Sequence, residues 1–171
     1  MKAKPLRGLI VLGALVVLGA LNFAILAKER IRRDGEVVYL SLAPVDPRSL
    51  MQGDYMALRF ALAQELERGA EGEVGGAPRE GATRFAGVTL DANRVARLAS
   101  HGSPGSAGSA GLLRLRYRIR NGHVWLGTNA FFFAEGSAQR FSGARYGEFR
   151  VDRASGEAVL VGLRDQVLKA L

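Results

Sequence analysis

The chain has 171 residues, room for one domain of ordinary size and one accessory segment. It has no cysteine and two histidines, which excludes a disulfide framework, thiol chemistry and a His/Cys metal knuckle. The formal charge is +8, yet Lys2, Lys4, Arg7, Lys28, Arg30, Arg32 and Arg33 meet only Glu29 within residues 1 to 33. Most of the excess therefore sits at the N-terminal end, and nucleic-acid binding by the rest loses its main support.

Residues 8–27, GLIVLGALVVLGALNFAILA, form an uncharged apolar run of the length that crosses a ~30 Å hydrocarbon layer as a helix. A cleaved secretory signal has a shorter apolar region and small residues at its cleavage site; this run ends in Ile25-Leu26-Ala27 before Lys28. The expectation is an uncleaved anchor, with Asn22 reaching the interface rather than a partner helix. Residues 1–7 are then a cytoplasmic tail and 28–35 a basic collar. Charge on both flanks favours tail-in only weakly, and a short tail before the anchor is the usual bacterial arrangement. The expected location is the inner membrane, with lipid around residues 8–27 and residues 36–171 in the periplasm or its equivalent.

Beyond the collar the pattern becomes that of short strands. Glu36 to Ala43, EVVYLSLA, reads as a first strand that stops at Pro44, and PVDPRSLMQG reads as a loop ending at Gly53. From Asp54, the alternation of Met56, Leu58, Phe60 and Leu62 predicts a strand over 54–61, followed by a helix over 62–68 from ALAQELER. Residues 69–81 and 101–111 are rich in Gly, Ser and Ala and predict mobile loops. Between them, RFAGVTL and RVARLAS predict a hairpin joined through Asp91-Ala92-Asn93.

The next hairpin is the clearest local signal. Leu113, Leu115, Tyr117 and Ile119 alternate with Arg114, Arg116, Arg118 and Arg120, and Asn121-Gly122 is the preferred two-residue turn. A tight turn pairs Arg120 with His123, Ile119 with Val124, Arg118 with Trp125 and Tyr117 with Leu126. The four arginines then stack on one face about 7 Å apart, which is repulsive unless anions are near. Trp125 is placed to accept Arg118 or Arg116 through a cation–π contact, and Glu135 and Glu148 are candidates to neutralise the ladder. Residues 134–144 suit a helical turn. YGEFRVD alternates again, with Glu148 on the polar side, and RASG turns the chain into the last strand, EAVLVGL. The sum is a mainly β fold: about eight antiparallel strands in a sandwich or partly open barrel, with one or two short helices, behind the N-terminal helix.

Chemistry is sparse. His101 and His123 lie in a linker and beside a turn, no phosphate-binding Gly-rich loop precedes a helix, and no metal or cofactor is expected. Asp46, Asp54, Glu135 and Glu148 are the carboxylates from which a catalytic pair would have to be assembled. The run from Leu50 to Tyr55 is similar to the loop and strand of type I signal peptidases. There the nucleophile position corresponds to Val45, and the only lysines are Lys2, Lys4, Lys28 and Lys169, so a Ser/Lys dyad has no base.

Gly53-Asp54-Tyr55-Met56-Ala57-Leu58-Arg59-Phe60 resembles the signature of the GDYXXLXY family, departing only in Phe60 for Tyr; the likeness extends to PVDPRS, FFFAEG and ARYGEFRV. That resemblance implies a membrane-anchored bacterial envelope protein, often encoded beside multi-span membrane proteins, and it supplies no catalytic residues. The residues have structural roles to fill: Asp46 fixes a turn, Gly53 takes a positive φ, and Asp54 caps the loop or pairs with Arg48 or Arg145. The functional reading is a polar patch of Asp46, Arg48, Gly53, Asp54, Tyr55, Glu135, Arg145, Tyr146, Glu148 and Arg150 that docks a partner. The expected function is a non-enzymatic accessory or scaffold subunit of a multi-span membrane protein. Its alternative is a hydrolase using Asp54 with Glu135 or Glu148.

Overall fold

The structure, a computed structural model, describes residues 3–43, 51–52, 55–71, 81–100 and 112–171. Helix α1 spans Ala3–Asp34 as one continuous element. Between Leu9 and Leu26 its large apolar side chains are 55 to 76% exposed, so nothing among the described residues covers them. The helix is long and apolar enough to cross a membrane. Residues 28–34, within the expected basic collar, continue the helix and bring its C-terminal end against the sheet that follows.

Ten strands follow. They are β1 Glu36–Ser41, β2 Met51–Gln52, β3 Tyr55–Ala57, β4 Thr83–Leu90, β5 Ala96–Ser100, β6 Leu113–Arg120, β7 His123–Trp125, β8 Ala130–Phe132, β9 Tyr146–Val151 and β10 Ala158–Arg164. They make three antiparallel sheets, ordered β1-β9-β10, β2-β3-β8 and β5-β4-β6-β7. Bridges join the sheets: Tyr39 meets Val95, and Leu42 meets Phe60. The result is a curled β structure around one core that holds Val38, Leu40, Phe60, Leu115, Leu126, Phe149 and Leu163. Phe60 and Phe149 meet edge to face at 5.3 Å in its centre.

The strand expected over 54–61 is shorter, because β3 ends at Ala57 and helix α2 begins at Ala61, running to Glu71. Met56, Leu58, Phe60 and Leu62 are all buried as the alternation implied. Helix propensity takes over immediately after the Phe60 bridge. Leu62, Ala63 and Leu66 form the buried face of α2, and Glu67 accepts a hydrogen bond from the Val124 N–H at 2.7 Å. The expected loop over 69–81 is thus helical at its start; residues 72–80 and 101–111 lie outside the described residues.

Both hairpins form. In the first, Asp91 N–H donates to the Val95 carbonyl and Arg94 takes φ 62°, so the connection is Ala92-Asn93-Arg94, one residue later than expected. In the second, Arg120 pairs with His123, Ile119 with Val124 and Arg118 with Trp125, as the pattern required. Asn121 and Gly122 have φ 51° and 75°, the left-handed pair that matches the twist of the strands. The ladder stops there, without the Tyr117–Leu126 pair, because β7 ends at Trp125.

Candidate functional site

The strand pairings decide what becomes of the polar patch. Asp46, Arg48, Gly53 and Asp54 lie outside the described residues. Tyr55 stands on β3, opposite Phe132 of β8 with ring centroids 5.8 Å apart. Glu135 is exposed just after β8, whereas Tyr146, Glu148 and Arg150 belong to β9 in a different sheet. Arg145 is exposed beside β9, and its N–H donates to the Arg164 carbonyl at 2.8 Å. The described members are therefore split between two sheets. Among the described residues, no three His, Asp or Glu side chains gather as a metal-ligand group.

Glu148 is the carboxylate whose position differs most from expectation. Alternation put it on a polar face, and the structure buries it to 7% exposure. The cause is tertiary: β9 is the central strand of its sheet, and α1 packs against β9 and β10. Arg164 of β10 donates to Glu148 Oε2 through Nε at 2.7 Å and again through Nη2. Arg150 Nη2 stands 3.8 Å from Oε1, and Arg150 Nη1 donates to the Gly35 carbonyl at 3.4 Å. Glu148 thus does not neutralise the arginine ladder. It is a buried carboxylate held between two partly exposed arginines, and it ties β9 to β10 and to the exit of α1, with Arg150 Nε the one buried side-chain polar atom lacking a partner among the described residues.

The ladder has another acid, Glu157. The short β7 leaves the first half of β6 open along one edge, and the turn between β9 and β10 docks there. The Arg116 N–H donates to the Gly156 carbonyl at 2.7 Å, and Arg114 Nη2 donates to the Ala154 carbonyl at 3.0 Å. Asp152 shapes this turn by accepting from Ser155 Oγ at 2.6 Å and from the N–H groups of Ala154 and Ser155. The Ser155 hydroxyl, foremost, holds the Asp152 carboxyl below its usual range. Gly156 has φ +69°, and a Cβ there would lie 2.9 Å from the Arg114 carbonyl oxygen, so a glycine is required.

The docked turn sets Glu157 2.8 Å from Arg116, and Lys28 of α1 reaches the same carboxylate oxygen. Around this junction lies a cleft of about 280 Å³, lined by Lys28, Arg116, Arg118, Arg120, Trp125 and Glu157 among others. Arg120 stacks over Trp125 at 5.5 Å. The expected partners were Arg118 or Arg116; the diagonal neighbour takes the ring instead, within reach of a long side chain. Arg114 likewise lies over Phe85 at 4.4 Å. Sequence alternation found the arginines, but nothing in it marked Glu157, which reaches them only through the docked turn.

The aromatic run after β7 also alternates. Phe131 and Phe133 pack on the buried Phe141 of a short 3-10 turn, Ala138–Phe141, while Phe132 points away and is 73% exposed. A separate recess of about 420 Å³ takes in Arg145 and Tyr146 with Ser41, Leu42 and Gln166.

A sequence-family profile described as GDYXXLXY protein matches residues 17–163, from the middle of α1 to β10. No curated protein and no solved structure matches the chain.

Proposed function

This chain belongs to the GDYXXLXY family, and we infer that it is a non-enzymatic accessory subunit of a multi-span membrane protein. In this reading α1 anchors the chain once in a bacterial inner membrane, and the β-domain works on the periplasmic side. The observation that carries it is the use made of the family signature. Met56, Leu58 and Phe60 are buried in the core, and Tyr55 pairs across strands with Phe132, so the described signature builds architecture. Of the carboxylates open to a hydrolase, the two among the described residues are poorly disposed for one: Glu148 is held between two arginines, and Glu135 is exposed beside another sheet.

Phe132 is the natural docking point. It is an exposed aromatic on β8, which is an edge strand of its sheet, and a large apolar side chain on a free edge invites a partner. The protein extracted in a mild detergent is expected to migrate with a defined membrane partner, and Phe132→Asp to release it while the fold persists. A monomer recovered at every detergent strength would overturn the reading. Because the chain has no cysteine, Phe132→Cys also gives a single-site crosslink to identify the neighbour.

A further inference from the structure

The cleft beside Lys28 has an unbalanced charge that folding does not explain. Four cationic side chains line it, Lys28, Arg116, Arg118 and Arg120, against the single carboxylate of Glu157. Glu157 is already shared by Lys28 and Arg116. Arg118 and Arg120 are exposed, and neither has a carboxylate within ion-pair distance among the described residues. Glu67 of α2, which shares a neighbouring recess with Arg120, is engaged by the Val124 N–H and by His123. Alternate positions on a strand root these side chains only about 7 Å apart along the backbone, a crowding of like charge that an anion would relieve.

The height of the cleft selects the anion. Lys28 is the first residue after the apolar run, so with α1 spanning a bilayer it stands at the edge of the hydrocarbon, in a headgroup layer about 5–8 Å deep. Arg116 is tied to Lys28 through one carboxylate and therefore lies close to the same level. Trp125, on the cleft wall, has the amphipathic ring that favours that layer.

We propose that this cleft binds the phosphodiester headgroup of an anionic membrane lipid, with Lys28, Arg118 and Arg120 meeting the phosphate oxygens and Trp125 lying against the glycerol and upper acyl region. The site is independent of the Phe132 edge and rests only on α1 being a membrane span. It would fix the rotation of the β-domain on the bilayer, because a single helix alone leaves the domain free to turn.

Trp125 is the only tryptophan, so intrinsic fluorescence reads this cleft directly. The full-length protein in a neutral maltoside detergent is titrated with short-chain phosphatidylglycerol, short-chain phosphatidylcholine, inorganic phosphate and a short DNA duplex. A saturable change with phosphatidylglycerol, at least tenfold tighter than with phosphatidylcholine, is expected. Lys28→Gln/Arg118→Gln, which leaves Arg120 on the ring, should weaken it by on the order of tenfold or more. The charge-matched control Arg97→Gln/Arg140→Gln, elsewhere on the surface, should not. Equal response to the two lipids, or an unchanged double variant, would overturn the proposal. Inorganic phosphate binding as tightly as the lipid would make this a free-phosphate site, and tighter binding of the duplex a nucleic-acid site; either result rejects the lipid. If the double variant does not fold, the comparison of lipids on the unmodified protein still decides.

Discussion

Glu148 and Glu157 are both carboxylates held between two cations, and they differ in what surrounds them. Glu148 sits at 7% exposure between the partly exposed Arg164 and Arg150, where β9, β10 and the end of α1 meet. Glu157 sits at the rim of a cleft, answers Arg116 and Lys28, and leaves Arg118 and Arg120 facing solvent. The same two chemistries therefore serve opposite ends. Where the acid is buried and both cations turn toward it, the cluster specifies how strands and helix meet. Where the cations outnumber the acid at an open surface, the excess is available to a ligand.

Single substitutions sharpen the contrast. Glu148→Ala leaves Arg164 and Arg150 without their carboxylate, and should cost about 3 kcal/mol in denaturant unfolding, the low end for a buried pair because both guanidinium groups keep some solvent contact. Glu157→Ala removes a pair at the surface and should cost about 1 kcal/mol or less; equal losses at the two sites would dissolve the distinction. Gly156→Val comes next, at about 1–3 kcal/mol, because it forces a branched residue to φ +69° and into the Arg114 carbonyl. It should also move Trp125 fluorescence, since undocking the turn withdraws Glu157 from the cleft.

The smallest effect concerns pH. The Asp152 carboxyl is held below its ordinary range in the folded protein, chiefly by the Ser155 hydroxyl. Its contribution is therefore complete above the unfolded value, near 4, and disappears as pH falls through the lower folded value. Asp152→Asn should lower stability at neutral pH and shrink the acid-side decline. An acid limb identical to that of the unmodified protein would mean that the turn is held by docking alone.

Much of this was readable from residue order. The apolar run, the Asn121-Gly122 hairpin with its register, and the burial of Met56, Leu58, Phe60 and Leu62 follow from periodicity and turn chemistry, which act over a few residues. The fate of Glu148 was not readable, because period two assigns a face without saying whether that face will be covered. Neither was the partner of the ladder. Glu157 is 37 positions beyond Arg120 in the chain and reaches Arg116 only because β7 is too short to fill the edge of β6.

Residue order alone specifies an apolar N-terminal helix, a set of short strands and a face of four arginines, since these depend on local patterns of apolarity and charge. The tertiary structure decided which carboxylate would be enclosed and which would stand at an open cleft beside the end of the apolar run. The reason is physical: burial and Coulomb attraction depend on distances through space, and those were set by how the β9–β10 turn and the extended end of α1 packed on sheets far away in sequence.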